Sequence, residues 1–77
     1  SLVKEKKFND TVKGLTIFVE SKKNNNFKNI FLRDDSDNSE SSTIIAKSGY
    51  VIKKGGYDFL ILFDGIVQKE KVKILRA

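Results

Sequence analysis

The sequence predicts an all-β domain of about six to eight short antiparallel strands, a sandwich, roll or partial barrel. Three observations carry the prediction. Apolar and polar residues alternate with a period of two in several segments, turn signals built on Asn and Gly fall between those segments, and nowhere is a helical period sustained.

Leu15, Ile17 and Val19 alternate with Thr16, Phe18 and Glu20, as expected of a strand with one buried face. Lys22-Lys23-Asn24-Asn25-Asn26 then reads as a turn, because Asn tolerates left-handed backbone angles and its side chain competes for backbone hydrogen bonds. The next strand runs from about Phe27 to Arg33. Residues 34–42 are acidic, Ser-rich and poor in β-formers, and the segment is expected to be a mobile loop. Thr43 to Lys47 and Tyr50 to Lys53 are strand material interrupted at Ser48-Gly49, where glycine permits a bulge or bend. Gly55-Gly56 and Asp64-Gly65 both read as hairpin turns. Between them, Tyr57 to Phe63 is apolar on both faces, the pattern of an enclosed strand, and Ile66 to Gln68 and Val72 to Leu75 complete a meander.

With 77 residues the chain is one small domain, residues 1–77, whose core is marginal without edge pairing or self-association. Histidine, cysteine, tryptophan, methionine and proline are all absent, which removes the usual zinc ligands, a Cys nucleophile and a His general base. No enzyme, metal or cofactor is expected. The longest apolar run, Phe59 to Phe63, falls far short of the roughly 20 residues that span a bilayer, so these residues are expected to be soluble as they stand. The net charge of +5 would attract any polyanion and selects no partner by itself.

Several motifs fail on inspection. Starting a calcium-loop register at Asp35 puts Glu40 where the turn glycine belongs and Ala46 where the bidentate glutamate belongs. Lys54-Gly55-Gly56 lacks the spacing and the helix of a phosphate loop. Asn9-Asp10-Thr11 fits a glycosylation acceptor, a triplet common by chance. The aromatic residues and lysines form no block of the kind that stacks RNA bases, and no nucleic-acid partner is expected.

The order of three segments is more informative. Val12 to Glu20, Phe27 to Asp34 and Thr43 to Gly49, separated by a polar turn and an Asp- and Ser-rich loop, resemble the periplasmic domain of the LptF/LptG (YjgP/YjgQ) lipopolysaccharide-export permeases. Tyr57 to Gln68 is similar to that family's next hairpin, so the likeness covers roughly residues 8 to 69. Gly14-Leu15-Thr16 and Ile45-Ala46-Lys47-Ser48-Gly49 lean toward the LptF side.

The resemblance implies a jellyroll between the third and fourth of six transmembrane helices, at the periplasmic face of the bacterial inner membrane. It implies lipopolysaccharide as cargo, a paralogous permease subunit and a cytoplasmic ATPase as partners, and homologous jellyrolls of an export bridge joined through edge strands. This chain would be the soluble domain of such a permease. Its role would be passage, not catalysis.

An antiparallel roll can turn one apolar face toward acyl chains. The inward positions by alternation, and so the candidate lining of a lipid groove, are Ile17, Val19, Ile30, Leu32, Ile44, Ala46, Leu60 and Leu62. The same side chains are also what so short a chain needs for a core. Two other readings stand beside this one: an edge-strand docking module without lipid contact, and a basic oligonucleotide-binding barrel.

Overall fold

A computed structural model describes residues 3–12 and 14–71. Five strands, β1 (Phe8–Val12), β2 (Leu15–Lys23), β3 (Asn26–Asp37), β4 (Glu40–Lys54) and β5 (Tyr57–Lys71), form one antiparallel sheet in the order of the sequence. The all-β expectation is met, and the described residues form five strands, four of them 9 to 15 residues long, where shorter ones were expected. The strand expected at 72–75 lies outside the described residues.

Two of the predicted turns close hairpins. Asn24 takes the left-handed conformation (φ 56°) between β2 and β3, and Gly55 and Gly56 (φ 58° and 79°) turn β4 into β5, in positions where a side chain on either glycine would be strained. Residues 34–42, expected as a loop, instead extend β3 and β4 to a tight turn at Asn38 and Ser39. Local hydrogen bonds offset their low β-propensity: Asp34 accepts from the amide and hydroxyl of Ser36, and Asp37 from those of Ser39.

Asp64-Gly65 is not a turn. Both residues lie within β5, because Ile66 to Lys71 continue the pairing with Ile45 to Glu40 in the register set by Leu62 and Gly49. Asp64 does adopt a left-handed backbone (φ 53°), and so does Asn29 in β3 (φ 52°). These two belong to one row. Glu20, Asn29, Lys47 and Asp64 fall at the same level of four neighbouring strands, and at each the ladder skips one pair while the register on both sides is unchanged.

The row shifts the alternation of side chains by one residue. In β3 the buried positions are Phe27, then Ile30 and Leu32; in β4, apart from Ser41 near the turn, they are Ala46, then Gly49. Two successive residues on each strand therefore point away from the core, Lys28-Asn29 and Lys47-Ser48 among them. Without this slip, strict alternation would place Phe27 on the outer face with Phe31.

The core thus lies on one face of the sheet, where Val3, Ile17, Val19, Phe27, Ile30, Leu32 and Ala46 are buried. Strands β2 to β5 each face it with at least one side chain. Gly49 provides the closest approach: a Cβ there would lie 2.7 Å from Ile61 O and 2.8 Å from Ile30 Cδ1.

Candidate functional site

The eight aliphatic residues picked out by alternation come together on the core face. Ile17, Val19, Ile30, Leu32 and Ala46 are buried within it, while Ile44, Leu60 and Leu62 are half-buried and packed against it. Across the strands they form two registered rows, Ile17–Leu32–Ile44 and Val19–Ile30–Ala46. Leu60 pairs with Val51 and Leu62 with Gly49, beyond the slipped row. The shift in alternation keeps Leu60 and Leu62 on the same face as Ile44 and Ala46.

The face is closed at one side and open at the other. Toward β2 and β3 it is covered by the segment before β1, whose Val3 is buried. Hydrogen bonds anchor that segment to β2: Lys6 N–H donates to Val19 O (2.8 Å), Lys22 N–H to Glu5 Oε2 (2.9 Å), and Lys22 Nζ to Val3 O (3.0 Å). Asn9 fixes its shape, accepting from Lys4 N–H (3.0 Å) and donating to the carbonyls of Lys4 (2.9 Å) and Lys7 (2.8 Å). Toward β5, none of the described residues covers the face in the same way: Val67, the partner of Ile44, is 56% exposed. The apolar surface runs from a sealed interior at β2–β3 to an open margin at β4–β5.

Sequence reasoning missed three contributors. Phe27 beside the Asn turn is core because of the slipped row, which no single-strand period can reveal. Val3 lies outside every strand pattern. Asn9 carried only a chance glycosylation triplet as its signal, whereas its side chain is spent on backbone groups.

The end of the sheet near Asn38 is acidic and tightly hydrogen-bonded. The Ser41 hydroxyl donates to Asp35 Oδ1 (2.6 Å), with Arg33 Nε 3.1 Å from the same oxygen, and these hold the Asp35 carboxyl below its ordinary pKa. Asp34 is lowered by the Ser36 hydroxyl and amide, and Asp37 by the Ser39 amide and hydroxyl. Such bonds satisfy the carboxylates locally and leave them no evident reactive role. Among the described residues, no group of three or more acidic side chains is arranged to hold a metal ion.

The two outer edges of the sheet differ in length. β1 presents five residues and β5 presents fifteen. Among the described residues, then, the sheet is a five-stranded meander with its core on one face, an exposed margin at β4–β5 and β5 as its longer outer strand.

The model of the family "Lipopolysaccharide export system permease LptF/LptG" matches residues 1–76. The chain belongs to this family. It is therefore part of a lipopolysaccharide transport permease of the inner membrane, from a family of transporters rather than enzymes. The family model takes LptF and LptG together. Neither the curated proteins nor the solved structures contain a match. Among the described residues, no helix is long and apolar enough to cross a membrane.

Proposed function

We propose that this chain is the periplasmic domain of an LptF/LptG permease and that it passes lipopolysaccharide from the inner membrane toward the periplasmic bridge. The observation that carries the reading is the half-open apolar face. Its interior is rigidly packed around Val19 and Ile30, while Ile44, Leu60 and Leu62 stand half-buried along the β4–β5 margin.

That geometry suits transfer. Each methylene taken out of water contributes about 0.8 kcal/mol, so a fully enclosed acyl chain would be held too tightly to leave. A chain lying along Leu60, Leu62 and Ile44 would be covered on one side only, and would remain free to move on. The sealed half of the face then serves as the core that keeps the margin in place. The work of extraction would come from an ATPase partner, with a paralogous permease subunit alongside.

Photo-crosslinking in the full permease tests the reading. A benzophenone amino acid at Leu62 or Ile44 is expected to capture lipopolysaccharide when ATP is supplied, and one at Lys23, the exposed last residue of β2, is not. Absence of lipid adducts at every margin position, with the permease assembled and active, would sink the proposal.

A second reading rests on the length of β5. Along the fifteen residues of β5, the outward-directed half of the backbone N–H and C=O groups can accept a strand from a homologous jellyroll, continuing the sheet from one protein to the next. In a pure docking module, crosslinkers along β5 capture protein and those at the margin capture no lipid. A domain that does both yields both adducts.

A further inference from the structure

The charges of the sheet are sorted along the strands. The end that carries the β3–β4 turn holds Asp34, Asp35, Asp37 and Glu40. The opposite end, where β2 turns into β3 and β4 into β5, holds Lys22, Lys23, Lys28, Lys53 and Lys54. Two carboxylates at this basic end are already engaged: Glu5 accepts from Lys22 N–H at 2.9 Å, and Asp58 stands 4.0 Å from Lys53 Nζ. Glu20, one position before Ser21, lines a different hollow together with Lys47.

One hollow at the basic end has a lining made wholly of donors. It measures about 460 Å³ and is bounded by Ser21, Lys22, Lys23, Asn24, Asn26 and Lys28. Each of these side chains can donate a hydrogen bond, and none is a carboxylate. Ser21 pairs with Lys28 and Lys23 with Asn26, which sets these four on the face opposite Phe27 and the core. Lys22 pairs with Phe27, belongs to the core side, and directs its ammonium to Val3 O at 3.0 Å. Lys23 and Lys28 are thus diagonal neighbours on one face, and among the described residues neither is joined to a carboxylate. Like charges within reach of each other on one face of a strand pair repel, so an anion between them would be stabilising.

The backbone beneath them is fixed. Asn24 holds the left-handed turn (φ 56°), Asn25 O accepts from Val51 N–H at 3.0 Å, and Phe27, buried in the core, anchors the start of β3. A rigid hairpin therefore presents the donors around a common space.

We propose that this hollow is a binding site for a phosphate monoester carried on a larger polar group. Lysine ammoniums are compact point charges suited to phosphate, and a dianion matches two of them. The Ser21 hydroxyl and the Asn24 and Asn26 amides can bond its remaining oxygens. The volume falls within the range of small-molecule sites and leaves room for the group that bears the phosphate. Tyr50, the partner of Asn26, lies 5.7 Å from Phe63 between ring centroids, and offers that group an aromatic surface. The site is on the face opposite the lipid margin and does not depend on the transport reading.

Chemical-shift titration of the 77-residue chain tests it at constant ionic strength and about pH 7.5, above the second phosphate pKa of about 6. The probes are inorganic phosphate, glucose 1-phosphate and glucose, with circular dichroism to verify folding. The amides of Ser21, Lys23, Asn26 and Lys28 should shift saturably with both phosphates, with Kd of about 1 mM, and not with glucose. Lys28→Gln should weaken binding at least about five-fold, and Lys23→Gln serves the same purpose if the first variant does not fold. Lys54→Gln removes the same charge about 13 Å beyond Tyr50 along β4, past the screening length of about 8 Å, and should change Kd less than about two-fold. Vesicles then separate the sources. Binding to phosphatidic acid in phosphatidylcholine, weakened by Lys28→Gln, identifies phosphate on a lipid headgroup; glucose 1-phosphate binding without vesicle binding identifies a soluble one, and either upholds the site. No saturable shift with either phosphate, equal losses in Lys28→Gln and Lys54→Gln, or shifts spread evenly over the basic end would overturn it.

Discussion

Replacing Gly49 with alanine adds one methyl group at the tightest point between β4 and β5. The new Cβ would lie 2.7 Å from Ile61 O, 2.8 Å from Ile30 Cδ1 and 2.9 Å from Leu62 Cδ2. Leu62 is half-buried and can swing aside. Ile30 is only 1% exposed and has no room to do so, and Ile61 O is backbone, so it retreats only if the strands separate. Overpacking of this kind costs about 1–3 kcal/mol. Against it stands the ordinary advantage of alanine over glycine within a strand, about 0.5–1 kcal/mol. The balance is a loss of about 1–2 kcal/mol, which in a domain of this size lowers Tm by roughly 5–15 °C.

The assay is thermal unfolding followed by circular dichroism, with Gly65→Ala as the internal comparison. Gly65 sits on the same strand pair, but a Cβ there meets nothing closer than 3.4 Å. Gly65→Ala should be neutral or slightly stabilising. A Gly49→Ala variant that melts at or above the wild-type temperature would refute the crowding argument. Equal losses at both positions would refute it too, since they would trace the effect to chain flexibility rather than space.

Three further outcomes follow from the packing and the charges. Phe27→Ala removes a ring that is 2% exposed at the centre of the core and should cost about 3–5 kcal/mol, enough to unfold much of so small a domain, as denaturant titration would show. Leu62→Asp, at the half-buried margin, should leave the circular dichroism spectrum native while abolishing lipid capture at neighbouring positions; loss of fold instead would assign Leu62 to the core alone. Asp34, Asp35 and Asp37 have folded pKa values below those of the unfolded chain. Their contribution to stability is therefore fully present above about pH 4 and disappears as pH falls through the lowered folded values. Ser41→Ala removes the main cause of the shift at Asp35, so NMR titration should find that carboxyl protonating at higher pH, with Asp34 changed less.

The sequence was legible wherever the controlling interactions are local. Alternation at Leu15 to Glu20 and the special backbone needs of Asn24 and Gly55-Gly56 define strands and turns without reference to the rest of the chain. Residues 34–42 resisted reading because composition argues for a loop, while pairing of Asp34 with Ser42 and of Asp37 with Glu40 makes the strands longer. Asp64-Gly65 misled for a related reason. The pair has turn chemistry, and Asp64 does take the left-handed conformation, but cross-strand pairing on both sides holds the chain straight.

By itself, then, the sequence determined the all-β class, the hairpin turns, the aliphatic residues available for one face and the family likeness now matched over residues 1–76. Only the tertiary structure decided which of those aliphatics are sealed and which line an open margin, because that depends on the segment before β1 folding over β2. It also decided that Ser21, Lys23, Asn26 and Lys28 surround one hollow, which no strand pattern contains. Alternation assigns a side chain to a face within its own strand. Register between strands, and the slipped row at Glu20, Asn29, Lys47 and Asp64 that resets it, determine which faces join into a surface.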